Sequence, residues 1–116
     1  MYLNNLYNVT GRFGRDPELQ TRPEGSVSNF SIAVDTGKDK DGNNKDPMWV
    51  DCYCWHKKAE LIGEWFKKGD LIHIIGPIEQ RSYINKDSVK VDKWRVEVKE
   101  FSFVPRNKSA DDLNKE

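Results

Sequence analysis

The stretch Met48-Trp49-Val50-Asp51-Cys52-Tyr53-Cys54-Trp55-His56 decides the fold. Its period of two marks a β-strand, with Val50, Cys52 and Cys54 on one face and Trp49, Asp51, Tyr53 and Trp55 on the other. The first set is small and apolar, which suits a core. The second puts three large rings and a carboxylate on the face expected to be wetter, and such a row of rings needs a reason. Two readings stand at this point. The rings are a stacking platform for unpaired bases, since every base has a π-face, or they are a second packed layer covered by another strand or another subunit.

Working outward, Leu6 to Phe13 reads as a first strand that breaks at Gly11 and Gly14. Arg15 to Gly25 reads as a loop, because Asp16-Pro17 and Pro23-Glu24-Gly25 are turn chemistry. Ser26 to Thr36 is a second strand, with Phe30, Ile32 and Val34 on one face. Gly37 to Pro47 is polar throughout and reads as a long, solvated hairpin loop leading into the quoted strand. Beyond that strand the period changes. Ala59, Leu61, Ile62, Trp65 and Phe66 form a helical stripe in a segment opening near Lys57 and stopped by Gly69, a core-facing stripe. Asp70 to Tyr83 is a fourth strand, interrupted at Gly76-Pro77, where proline signals a bulge, bend or edge. Asn85 to Ser88 turns the chain into a fifth strand, Val89 to Val104. Five strands with one short helix between the third and fourth is the order of the OB-fold, an all-β Greek-key barrel. Its habitual ligand surface is strands 2 and 3 with the loops joining strands 1–2 and 4–5, which favours the stacking reading of the aromatic face.

The chain has 116 residues, one domain's length, and divides into a barrel over 1–106 and a polar tail over 107–116. Lys+Arg and Asp+Glu are 19 each, so no whole-molecule field draws it to nucleic acid or acidic membranes. Met1 to Asn5 lacks the basic and apolar regions of a secretory signal, and the apolar run Leu71 to Ile78 is too short to span a bilayer, so a cytoplasmic protein is expected. Free thiols are expected at Cys52 and Cys54. Cys52, Cys54 and His56, with His73, match no common zinc spacing. The serines at 26, 28 and 31 have no neighbouring histidine, the carboxylate pairs lie in polar loops or the tail, and Gly11-Arg12-Phe13-Gly14-Arg15 lacks the lysine of a phosphate loop. No metal, cofactor or enzymatic activity is expected.

What remains is cations interleaved with rings. Arg12 and Arg15 flank Phe13, Lys57 and Lys58 follow Trp55, Lys67 and Lys68 follow Phe66, Arg81 precedes Tyr83, and Lys90, Lys93 and Arg95 surround Trp94. On an OB-fold face this is the pattern of an unpaired-strand binder, in which cations track phosphates and rings stack bases with little sequence preference.

The same residues carry a resemblance. The chain resembles the bacterial and phage single-stranded DNA-binding proteins through Asn8-Val9-Thr10-Gly11-Arg12, Arg15-Asp16-Pro17-Glu18-Leu19, Asn29 to Val34, Cys52 to Glu60, Lys67-Lys68-Gly69-Asp70-Leu71 and Gly76 to Tyr83. The resemblance implies an OB-fold homotetramer that wraps single-stranded DNA in replication, recombination and repair. It implies base stacking on Trp49, Trp55 and Tyr83, and phosphate contacts from Arg12, Lys57, Lys68 and Arg81. Two departures stand out. The aromatic that family members often carry between strands 2 and 3 is missing from Thr36 to Asp46, and the sequence closes on Asp111-Asp112-Leu113-Asn114-Lys115-Glu116 without the acidic, hydrophobic tip that recruits partner proteins. The expectation is therefore either a trimmed tail or a phage, plasmid or specialised form without that recruitment. The rival from another class is an OB-fold protein-interaction module, a replication accessory factor whose aromatic face is a protein interface.

Overall fold

The computed structural model describes residues 4–104, so the tail expected over 107–116 lies outside the described residues. In chain order the elements are β1 (Tyr7–Phe13), β2 (Glu18–Arg22), β3 (Gly25–Val34), β4 (Met48–Trp55), α1 (His56–Trp65), β5 (Leu71–Gly76), β6 (Ile78–Ile84), β7 (Lys90–Glu97) and β8 (Glu100–Phe103). The strands form one sheet in the order β6-β7-β4-β3-β1-β5-β8, with β2 also paired to β3. The five expected strands and the helix between the third and fourth are all present; the count is higher because two expected strands divide and one strand is new.

β4, the stretch quoted first, lies in the middle of the sheet. It runs antiparallel to β3 from Val27↔Trp55 to Val34↔Met48. On its other side it meets β7 in parallel at Cys52↔Val96 and Tyr53↔Glu97. Its small face goes inward as expected: Cys52 and Cys54 are buried and Val50 packs against the core.

The fourth and fifth expected strands break opposite each other. Pro77 has no N–H to continue the ladder, and the carbonyls on either side of the break receive donors from the other strand. Lys99 N–H donates to Ile75 O at 2.9 Å and Glu97 N–H donates to Pro77 O at 3.1 Å. Val98 N–H turns to Tyr53 O at 2.8 Å. This corner lets two long strands serve both ends of the sheet. β5 lies beside β1 with β8 outside it, while β7 lies beside β4 with β6 outside it, and β6 and β7 run on as an arm.

The segment from Arg15 to Gly25, expected as a loop, contains β2. Glu18–Arg22 pairs with β3 from Glu18↔Asn29 to Arg22↔Gly25, around a turn at Pro23-Glu24. All five β2 residues are exposed, so the strand has no buried face and leaves no alternation in the sequence.

The core gathers Phe13, Phe30, Ile32, Val34, Ile72, Ile74, Val96 and Val98 from the strands and Ala59, Ile62 and Phe66 from the helical segment. Ala59, Ile62 and Phe66 are three and four residues apart, one helical face. Leu61 and Trp65 of the expected stripe are less covered, Leu61 half-buried and Trp65 exposed. The helix ends before Gly69: Phe66 turns to an extended φ of −118° while its N–H still bonds Ile62 O at 3.1 Å. That turn drops the Phe66 ring between Phe13 at 5.3 Å and Phe103 at 4.8 Å.

Candidate nucleic-acid interface

The β6–β7 arm and the β3–β4 surface enclose a groove of about 630 Å³. Asn29, Ser31 and Asp51 lie along the sheet side, Arg15, Asp16 and Glu18 at the β1–β2 connection, and Arg81, Tyr83, Lys93 and Trp94 on the arm. The base of the arm is pinned by Tyr53, Glu79 and Arg95. The Tyr53 hydroxyl donates to Glu79 Oε1, Arg95 Nε donates to Glu79 Oε2 at 3.2 Å, and the Arg95 guanidinium lies 4.0 Å over the Tyr53 ring. This corrects one expectation. Tyr53 does sit on the same face as Trp49 and Trp55, but it is only 5% exposed because Arg95 covers it. Burial, with the bond to Glu79, pushes its phenol pKa upward.

The carboxylates of the groove have partners of their own. Asp16 Oδ1 accepts the Lys68 N–H at 2.7 Å, Asp51 Oδ1 accepts the Ser31 hydroxyl at 2.6 Å, and Glu79 holds Arg95. Glu18 stands 4.0 Å from Arg15, both exposed, a pair worth little in water. Arg81 and Lys93 form no ion pair among the described residues. The groove of a chain with no net charge is thus lined by the cations Arg15, Arg81, Lys93 and Arg95 against the carboxylates Asp16, Glu18 and Asp51, a slight positive excess.

The predicted residues do not converge on one spot. Tyr83 and Arg81 line the groove. Trp49 is 58% exposed and lies on the same β4 face as Asp51. Its ring rests on Gly14, where a Cβ would meet Trp49 Cζ3 at 2.6 Å. Trp55 is half-buried in a second, shallower hollow with Glu24, His56 and Glu97. At about 3.3 Å per residue the face from Trp49 to Trp55 spans roughly 20 Å. Lys57 is exposed on the first turn of α1 and Lys68 is exposed beyond its end, tied by its amide to Asp16 at the groove. Arg12 is turned elsewhere: its Nη1 donates to Gly69 O at 2.6 Å. Among the groove residues that the sequence reading left off its site list are Arg15, Lys93, Trp94 and Arg95. The signal for them was their place in the cation–aromatic clusters, and what it lacked was the β6–β7 register.

Because only the far end of the Trp49 ring opposes a new methyl, Gly14→Ala displaces the ring at little cost in stability. We expect an unchanged melting temperature, a shifted tryptophan emission maximum and about a tenfold loss of oligo-dT affinity, within the 1–3 kcal/mol worth of one stacked base. Emission and affinity like those of the unaltered protein would detach Trp49 from Gly14.

The thiols are poor candidates for chemistry. Burial pushes Cys54 up to about 12, and burial with the nearby Asp51 raises Cys52 as well, so both stay protonated near neutral pH.

The strand order β1, β3, β4, β5–β6 and β7–β8, the single helix α1 between β4 and β5, and the groove beside β3 and β4 define an OB-fold with its ligand surface open. A profile of the single-strand binding protein family matches residues 4–104, and the chain belongs to that family. It is 33% identical over 108 residues to a single-stranded DNA-binding protein of Halalkalibacterium halodurans, covering 91% of this chain and 64% of that one. It is 34% identical over 107 residues to one from Neisseria meningitidis serogroup A, covering 90% and 61%. Single-stranded DNA-binding protein 3 of Streptococcus agalactiae serotype V is 29% identical over 113 residues, covering 97% and 81%. The chain thus spans a little over three-fifths of the length of the first two. Among the described residues, no helix is long and apolar enough to cross a membrane.

Proposed function

We propose that this chain binds and protects single-stranded DNA, with little regard to sequence and without catalysis, during replication, recombination or repair in the cytosol. The observation that carries the reading is the groove: exposed Tyr83 lies on the same face of the arm as Arg81 and Lys93, which form no ion pair among the described residues, and Asp16 and Asp51 are held by internal donors. The names of the relatives support it. Trp49, Trp55 and Tyr83 stack bases; Lys57, Lys68 and Arg81 contact phosphates, while Arg12 acts first as a tie to Gly69. Residues up to about 106 make up the binding domain. Four copies assemble, a reading supported by β1, whose register with β3 is confined to Arg12 and Phe13, so that from Tyr7 to Gly11 the side away from β5 has no strand partner among the described residues.

The test is anisotropy of labelled oligo-dT across a salt series, with duplex of equal length as competitor. Tight binding that weakens as salt rises and resists duplex competition is the expected result. Equal competition by duplex, or no binding, overturns the reading. In the same assay Lys57→Ala flattens the log–log salt slope by about 0.7, the share of one phosphate on a single strand; an unchanged slope removes Lys57 from the phosphate set.

A further inference from the structure

The arm carries a feature that works against its own stability. On antiparallel β6 and β7, Arg81 stands directly opposite Lys93. Like charges in that position repel, with Cβ atoms about 5 Å apart. The next pair toward the barrel on the same face, Glu79 and Arg95, has opposite signs and forms an ion pair at 3.2 Å. Toward the tip, Tyr83 stands opposite Val91. The arm thus shows one satisfied charge pair, then one repelling pair, then an exposed ring, all along one face. No carboxylate among the described residues bridges to Arg81 or Lys93, although Glu79 and Asp92 lie on the same two strands. Asp92 is engaged across the ladder with the Ser82 hydroxyl at 2.6 Å.

Two cations held side by side, with no carboxylate in ion-pair reach among the described residues, make a site for an anion. We infer that Arg81 and Lys93 close on a single phosphodiester, one cation to each non-bridging oxygen, and that the base of the same nucleotide stacks on Tyr83. Two residues along a strand is about 7 Å, comparable to the distance from a nucleotide's phosphate to its own base. The clamp rests on the single-strand reading and adds to it Lys93, a shared phosphate and a fixed starting point for the strand at the arm. A bound phosphate cancels the repulsion, so the arm is more stable with DNA than without it.

Lys93→Gln, Arg81→Gln and the double variant are titrated with oligo-dT across a salt series, and each free protein is melted. Each single variant binds roughly fivefold more weakly at low salt, the upper range for one exposed charge contact. The double variant lowers the log–log slope by about 0.7, one phosphate, and not by about 1.4. Melting temperatures of the free variants stay level or rise, because the repulsion is relieved. Binding unchanged in the single variants overturns the clamp, as does a slope loss near 1.4, which means two separate phosphates. A fall in melting temperature overturns it too, since the pair would then be supporting the fold. If the unaltered protein fails to bind oligo-dT at any salt, the single-strand reading itself falls; if it binds and the variants match it, the clamp alone falls.

Discussion

Replacing Gly76 with alanine destabilises the fold by roughly 3 kcal/mol, the upper range for forcing extra volume into a packed site. A Cβ at Gly76 would stand 1.9 Å from Glu97 O, 2.9 Å from Glu97 C and 3.2 Å from Lys99 N. These are backbone atoms, fixed by the Lys99-to-Ile75 and Glu97-to-Pro77 hydrogen bonds, and they cannot swing aside as a side chain would. Relief requires opening the corner where β5 passes into β6 and β7 into β8. At about 4–8 °C per kcal/mol for a domain of this size, the melting temperature falls by more than about 10 °C. Calorimetry of the variant checks this, and a melting temperature within a few degrees of the parent would mean the corner is not under that constraint. The corner also aims the arm, so a variant that survives at low temperature binds oligo-dT more weakly.

Trp49→Ala gives the largest loss of binding among the aromatic positions, about ten- to a hundredfold, from the 1–3 kcal/mol worth of one stacked base. Trp49 is 58% exposed, so its removal opens no cavity in the core and leaves the melting temperature nearly unchanged. Trp55→Ala has a smaller effect on affinity. Trp55 is half-buried and shares its hollow with Glu24 and Glu97, whose charges work against a neighbouring phosphate even though Glu97 is paired with Lys99 at 2.7 Å. Anisotropy titrations of both variants decide the ranking. A Trp49→Ala protein that binds like the parent while remaining folded removes Trp49 from the interface.

The parts of the fold legible in the sequence are those with a buried face. β3 and β4 alternate because one side of each meets the core, and the helical stripe shows in Ala59, Ile62 and Phe66 for the same reason. β2 was hidden because all five of its residues face water and only its partner strand defines it. The break at Gly76-Pro77 was legible in its residue types. The matching break near Val98-Lys99 was not, since Val96 and Val98 are both buried and the alternation runs through it unmarked. Parity placed Tyr53 on the correct face, but its cover comes from Arg95 on a strand distant in sequence. The candidate site shows the same division. Arg81 and Tyr83 were nameable from local pattern, whereas the juxtaposition of Arg81 with Lys93 exists only in the β6–β7 register. The hydrogen bond that turns Arg12 toward Gly69 is likewise a tertiary fact.

The most direct test of the central claim is intrinsic tryptophan fluorescence during titration with oligo-dT, with duplex of equal length as control. Exposed Trp49 reports directly on contact with bases. The account predicts strong quenching by oligo-dT alone, declining as salt rises. Absence of quenching with either ligand, from a folded protein, would contradict it and leave the aromatic face as a protein interface.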